Sequence, residues 1–486
     1  MAKTANNGKR KIVINPVTRV EGHGKVTIVM DEQNNIDQAR FHIIEFRGFE
    51  RFVQGRLYWE APVMVQRLCG ICPVSHHLAG AKATDMLAGV DKIPVTAEKM
   101  RRLMHYGQVF QSHALHFFHL ASPDLLFGFD APVEKRNVIG VIEAHPEIAK
   151  KAVLMRKYGQ EVIKATGGKK VHPTGAIPGG INKNLSIEER DFLKKDVDTM
   201  IEWSVEALEL CKKITKENLE FLLNFGSFDS NHLSIVREDG CMDLYDGKLR
   251  AIDAEGNNIF DMVEAHEYAD YLGEEVRPWS YMKFPHIKSL GKEKGWFRVG
   301  PLARVNCCDF IDSDLAEKER QEFMALNNGK PVNATMAYHW TRLIEMLHSA
   351  EKMKELLDDP DLQGTELMAE GQKREKGFAL LEAPRGTLFH HYEINTETDQ
   401  ITLANLIVST TSNNEPMNRT VQIIADQHLK GKSEKEITEG LLNHIEVGIR
   451  AYDPCLSCAT HALGKMRLQV ELVDADEQTV DEKFRG

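Results

Sequence analysis

Apolar residues along this chain change their spacing several times, and each change predicts a different element. Near the N-terminus they fall in short β-rich runs. These predict strands over Lys11–Ile14, Lys25–Met30 and Ala39–Phe46, the last two separated by a turn at Asp31–Asn35. From Ala97 to Leu120 the spacing becomes helical, and it recurs over Pro132–Lys164 and Ile187–Phe225. The last of these opens with Ser186-Ile-Glu-Glu, which has N-cap character. Between Gly226 and Leu302 the pattern breaks into short strands and turns rich in Gly, Asp and Asn. Ala337–Leu357 is helical again, Phe378–Ser409 reads as strands, and two helices follow near Val421–His428 and Glu434–Ala451. The sum predicts a mainly helical α+β fold: a central bundle of long helices with small peripheral β-sheets.

Composition narrows the class. The 486 residues are 42% hydrophobic and 27% charged, close to soluble globular averages. The charge is 61 − 72 = −11, which argues against sequence-independent nucleic-acid binding. No apolar run approaches the ~18 residues of a membrane span. The start, MAKTANNGKRKIVINPVTRV, lacks the apolar stretch of a secretory signal. Eight cysteines are too sparse for a disulfide scaffold and suit a reducing compartment, so a cytoplasmic protein is expected. Neither an internal repeat nor a low-complexity linker divides the chain.

Two cysteine pairs carry the candidate chemistry. Cys69-Gly-Ile-Cys72 and Cys455-Leu-Ser-Cys458 each place two sulfurs where they can face one point, for a metal or for a reversible disulfide. A zinc ribbon brings two such pairs together over about 15–20 residues, whereas Cys72 and Cys455 lie 383 positions apart. A thioredoxin-like motif needs a strand–helix junction in a βαβ unit, and the surroundings of Cys69 do not read as one. Two unrelated buried pairs remain an open alternative. Brought together, four thiolates make a soft site that selects zinc, copper(I), an iron–sulfur cluster or a thiolate-bound redox metal.

The flanks of the pairs are more specific. Arg67-Leu-Cys69-Gly-Ile-Cys72-Pro-Val-Ser-His76 and Asp453-Pro-Cys455-Leu-Ser-Cys458-Ala-Thr-His461 resemble the two signature motifs of the nickel–iron hydrogenase large subunit. The resemblance extends to Pro16-Val-Thr-Arg19-Val-Glu21-Gly22-His23, Arg47-Gly-Phe-Glu50, Gly300-Pro-Leu-Ala-Arg304-Val-Asn306 and Glu382-Ala-Pro-Arg385-Gly386. The wording is most similar to the cytoplasmic NAD-reducing, bidirectional subgroup. It implies that family's fold and the reversible heterolytic cleavage of H2.

Residue by residue, the resemblance implies that Cys69 and Cys455 are terminal nickel ligands and that Cys72 and Cys458 bridge to an iron carrying carbon monoxide and cyanide. It makes Glu21 the proton-exit carboxylate; the plain alternative is a pair with Arg19 or a buried arginine. Glu50, His461 and a backbone carbonyl near Leu406 would hold a magnesium ion, the alternative for Glu50 being a salt bridge to Arg47 or Arg51. Arg385 would overhang the metals and grip Asp453 through a bidentate pair. Thr410 and Thr411 fall where the family hydrogen-bonds a cyanide, although Ser409 and Ser412 depart from its usual proline and tryptophan. His76 and His113 are expected to aim donors at cysteine sulfurs. Ser112 stands where many relatives have an aspartate.

The same resemblance divides the chain into a single catalytic domain, 1–461, and an extension, 462–486, that a maturation endopeptidase removes. Beyond the two pairs, the sequence has no cysteine set for an iron–sulfur relay and no dinucleotide fingerprint. The implied partners are therefore a small subunit carrying an iron–sulfur cluster and diaphorase subunits carrying FMN and NAD. Competing readings are a structural four-cysteine zinc protein, a hydrogen sensor with the same centre, and a respiratory quinone-reductase subunit. The last is disfavoured because both cysteine pairs are intact.

Overall fold

A computed structural model of the chain describes residues 3–4, 9–459, 468–473 and 479–485. Four long helices form the centre: Val95–Leu115, Pro146–Gly167, Ile187–Glu217 and Ala337–Asp358. The Ile187–Glu217 helix begins as its sequence predicts. Ser186 Oγ accepts the Glu189 N–H at 3.1 Å, and the Glu189 carboxylate accepts the Ser186 N–H at 3.1 Å. Leu193, Val197, Met200, Ala207, Leu208 and Cys211 make its buried stripe, at the spacing of one helix face. Ala337–Asp358 is buried nearly all round, including its charged residues Arg342 and Glu345.

Small sheets surround this bundle. Arg10–Ile14, Gly24–Met30 and Ile36–Ile43 pair antiparallel in sequence order, with Ile14 opposite Val26 and Gly24 opposite Ile43. The third strand begins and ends three residues earlier than its composition predicts, so Ile44 and Phe46 lie beyond it and are exposed. Lys376–Ala383, Gly386–Ile394 and Ile401–Ile407 form a second antiparallel sheet. Pairing of Ala383 with Gly386 leaves Pro384-Arg385 as a two-residue turn, so Arg385 stands at the tip of a hairpin. A four-stranded sheet formed by residues 231–298 and a hairpin of Leu468–Val473 with Thr479–Arg485 complete the outline.

Several boundaries depart from the sequence expectations. The Ala97–Leu120 pattern is an α-helix only to Leu115, then a π-turn over His116–Ala121. Pro123 has no N–H to return to this turn, and the Ser122 hydroxyl caps the Phe118 carbonyl instead. The Pro132–Lys164 pattern splits at His145-Pro146, where a proline restricts the residue before it. The Val421–His428 helix starts earlier, at Asn414, because its polar first turns lack an apolar signal. The final helix begins at Glu439, capped by the Thr438 hydroxyl. The helix Pro73–Leu87 has no counterpart among the elements the sequence predicts. Thirteen of its residues are buried, so it has no polar face to give it a period. No helix among the described residues is long and apolar enough to cross a membrane.

Candidate metal centre

The two ends of the chain meet at the cysteine pairs. Glu21 bridges to Cys455 in a parallel β-contact, and the Leu456 N–H donates to the Glu21 carbonyl at 3.0 Å. Gly22 makes this approach possible. Its φ is +81°, and a Cβ there would lie 2.8 Å from the Ser457 nitrogen. Behind the junction, Asp124 accepts from Arg19 at 2.6 Å and from Arg450 at 3.0 Å, while Arg450 also donates to the Thr18 carbonyl. This clamps the loop bearing Glu21 to the helix that leads into Asp453-Pro-Cys455. Burial opposes the Asp124 charge, but the two guanidiniums hold its carboxyl below the ordinary range.

One ligand atom from each of Cys69, Cys72, Cys455 and Cys458 lies within 4.8 Å of the others, and all four residues are buried. The Sγ separations are 3.2 Å for Cys69–Cys455, 3.8 Å for Cys72–Cys458 and 2.8 Å for Cys455–Cys458. Hydrogen bonds from Cys455, Cys458 and Cys69 hold Cys72 well below the usual thiol range, whereas burial pushes Cys455 and Cys458 well above it. Four buried sulfurs cannot all ionise unaided, and a thiophilic cation removes that conflict. The other four cysteines do not join them. Burial pushes the thiols of Cys211, Cys241 and Cys308 up to about 12.

Most of the expected residues converge here. The Cys455 thiol donates to Glu21 Oε2 at 3.0 Å, and the Ser457 N–H donates to the same oxygen at 3.1 Å. Arg19, the alternative partner for Glu21, is engaged with Asp124 and the Leu120 carbonyl. The Cys455 N–H donates to Thr410 Oγ1 at 3.0 Å, and the Thr411 hydroxyl donates to the Ala459 carbonyl at 3.3 Å. Of these two hydroxyls, only Thr410 keeps a hydrogen with no acceptor among the described residues. His76 is among the groups that hold the Cys72 thiol down.

Other expectations need correction. Arg385 does not grip both carboxylate oxygens of Asp453. Its Nε donates to the Asp453 carbonyl at 2.7 Å and one terminal nitrogen donates to Oδ1 at 3.1 Å. Arg385 Nη1 and Asp453 Oδ2 are buried with no partner among the described residues. His113 meets Glu345 where a cysteine sulfur is expected, its Nε2 lying 2.9 Å from Glu345 Oε2. A fully buried carboxylate already held by an arginine is the stronger acceptor within its reach. Glu50 pairs with neither Arg47 nor Arg51. Its Oε1 accepts from Lys283 at 3.2 Å and from the Leu406 N–H at 3.0 Å. Lys283 also donates to Glu274, so this pocket holds two carboxylates and one ammonium. His461 lies outside the described residues.

A buried charge network behind Arg385 escapes the sequence reading, because nothing in a periodic pattern singles out such residues. Arg304 binds Glu345 through two nitrogens, each at 2.6 Å, and Glu382 through a third contact at 2.5 Å. It also donates to the carbonyls of Ala383 and Pro384, the residues immediately before Arg385. Gly300 allows this packing, since a Cβ there would lie 2.8 Å from the Arg385 carbonyl. Arg342, on the central helix, donates to the carbonyls of Tyr338 and Ala451. Burial lowers its pKa to about 10, opposed by the charges of Asp453 and Glu345.

Burial opposes ionisation of Glu345, but the two-pronged contact with Arg304 overcomes it and lowers its pKa to about 2. Glu382, holding a single prong, is pushed up by burial. The Glu345 charge therefore stabilises the fold above the ordinary carboxylate value of 4.5. That stability is lost as pH falls from there towards about 2. Glu345→Gln removes the two-pronged partner of Arg304 and leaves Glu382 alone against the buried charge, so it should destabilise the fold by about 3–5 kcal/mol near neutral pH. Urea unfolding at pH 7 and pH 3 checks this: the deficit should shrink at the lower pH.

Residues 11–46 match a HoxL-like family, and residues 47–130 and 213–461 match the nickel-dependent hydrogenase family. The chain is 49% identical over 490 residues to the beta subunit of the NAD-reducing hydrogenase HoxS of Cupriavidus necator, covering 98% of this chain and 100% of that one. It is 43% identical over 461 residues to a chain of the F420-non-reducing hydrogenase vhc of Methanococcus voltae, covering 94% and 96%. Among solved structures, an NAD+-reducing [NiFe]-hydrogenase in the H2-reduced state superposes with a TM-score of 0.91 at 54% identity. It covers 94% of this chain and 100% of its own. The Ni-Fe-Se hydrogenase of D. vulgaris Hildenborough, at 21% identity, shares the fold with a TM-score of 0.75 over 93% and 100%.

Proposed function

Because the chain belongs to the nickel-dependent hydrogenase family, we propose that it is the catalytic subunit of a complex that cleaves H2 reversibly and passes the electrons through partner subunits to NAD+. One observation carries the reading. Four buried sulfurs lie in a single cluster, and Arg385, beside Cys455, Cys72 and Cys69, keeps a buried N–H with no partner among the described residues. A closed structural zinc site has no use for such a group, whereas a catalytic centre keeps an open position. The donor set fits a soft, redox-active metal pair.

Bound there, a nickel–iron centre with carbon monoxide and cyanide on iron would act as a Lewis acid that polarises H2 for heterolytic cleavage. The chain supplies the rest. Cys69, Cys72, Cys455 and Cys458 hold the metals. The Cys455 sulfur is the first base, and Glu21, 3.0 Å away, receives its proton. Glu21 meets Ser457 through its backbone N–H; beyond it the Ser457 hydroxyl donates to Glu45 at 3.4 Å, and Glu45 pairs with His23, whose side chain is 64% exposed. Arg385, steadied through Asp453 and through the grip of Arg304 on its turn, orients the substrate face. Thr410 is the hydroxyl best set to donate to a diatomic ligand.

Around Glu50, two carboxylates against one ammonium leave a negative excess that suits a hard cation. Glu50, Leu406 and His461 would hold magnesium. Cys69, Cys72, Cys455 and Cys458 form the only such metal-binding group among the described residues. Electrons must then leave through a small subunit carrying an iron–sulfur cluster, with flavin and NAD on diaphorase subunits. The name of the relative at 49% identity supports NAD+ as the acceptor, and a diffusible dinucleotide acceptor suits the cytoplasm. The family match ends at 461, which supports removal of 462–486 by an endopeptidase.

Elemental analysis of the purified complex, with the intact mass of this chain, tests the proposal. Stoichiometric nickel and a chain ending at His461 are expected. Zinc in place of nickel, persisting after co-expression with maturation factors, would make the structural clamp the better account.

A further inference from the structure

A buried row of polar side chains lies beside Cys72. Cys72 is the N-cap of the Pro73–Leu87 helix, and His76 stands one turn along it on the same side. The strand Gly386–Ile394 packs against that helix and carries His390 and Tyr392 two residues apart, hence on one face. His76, His390 and Tyr392 are each at most 1% exposed. The Tyr392 hydroxyl is 2.8 Å from His390 Nδ1, and His390 Nε2 is 3.4 Å from His76 Nδ1. With Nδ1 so engaged, Nε2 is the ring nitrogen that His76 has left for Cys72.

This row has a direction. A neutral imidazole has one donor and one acceptor nitrogen. If Tyr392 donates to His390 Nδ1, the His390 proton must sit on Nε2. It then donates to His76 Nδ1, and the His76 proton must sit on Nε2, facing Cys72. In the reverse direction His76 would turn a lone pair towards the sulfur. As a metal ligand that sulfur is a thiolate and accepts only, so two acceptors would meet in a buried site at the cost of a lost hydrogen bond. We propose that Tyr392 and His390 are positioning residues of the metal centre: together they fix the His76 proton on Nε2, so that His76 donates to the Cys72 sulfur. Such a hydrogen bond draws electron density from the thiolate and raises the reduction potential of the metal it binds.

The inference rests on the nickel reading above, and nickel content separates the two. Nickel missing from the unaltered complex would count against that reading, not against this row. The test is Tyr392→Phe in the complete complex, which removes one oxygen and keeps the ring. Nickel content is measured, and the midpoint potential of nickel is followed by electron paramagnetic resonance. Full nickel and a lowered potential are expected, with His390→Leu, which breaks the row at its middle, shifting it the same way. An unchanged potential in Tyr392→Phe at full nickel would overturn the proposal. So would loss of nickel from Tyr392→Phe, which would assign the phenol to assembly of the site and not to its tuning.

Discussion

Cys455→Ser is expected to leave the chain without nickel and the complex without activity. The substitution changes one atom. The backbone N–H that Thr410 accepts is untouched, and the bridge to Glu21 is made by main chain. What changes is the ligand: a serine hydroxyl stays protonated and hard, where the site needs an ionised, polarisable sulfur. Cys455 also lies within 3.2 Å of Cys69 and 2.8 Å of Cys458, so its loss opens the cluster at its centre. Nickel per chain, alongside a thermal unfolding curve for the folded state, reads the outcome. Nickel retained at the level of the unaltered complex would remove Cys455 from the ligand set.

Glu21→Gln should do the opposite to the metal and nearly as much to turnover. Glutamine keeps an oxygen to accept the Ser457 N–H, now at 3.1 Å, so the loop should hold its place. It cannot take a proton from the Cys455 sulfur. Nickel content should stay full while hydrogen–deuterium exchange falls by about 10²–10⁴-fold, the usual span for a general acid–base group. Exchange at the normal rate would show that the proton leaves by another route. The two variants together separate holding the metal from moving the proton, which neither does alone.

The candidate centre is legible in the sequence to different depths. Both cysteine pairs, Glu21 and Arg385 can be named from the sequence because their flanking words are specific. His113 stands there beside two other histidines on one helical pattern, with no way to rank them. The π-turn over His116–Ala121 changes their relative facing, and His113 is spent on Glu345. Closeness along the chain suggests arginine partners for Glu50. Its actual partner, Lys283, comes from 233 positions away, just before the strand Phe284–Ile287. The Arg304–Glu345–Glu382 network leaves no trace in periodicity, since a charged residue buried among partners looks like any surface charge until the partners are placed.

The sequence by itself determined the local elements and the chemistry available to them. Apolar spacing encodes helices and strands wherever one face meets water, as over Ile187–Glu217. The donor atoms of the two CxxC pairs are soft wherever they end up. Only the tertiary structure decided which groups meet. Helices buried on every side, such as Pro73–Leu87, have no polar face to reveal them. Residues 386 positions apart, such as Cys69 and Cys455, are joined by the packing of the whole chain. Inside that packing buried donors seek acceptors, which brings His113 to Glu345 and the Cys455 thiol to Glu21, while the pairing of Ala383 with Gly386 puts Arg385 at the tip of its hairpin.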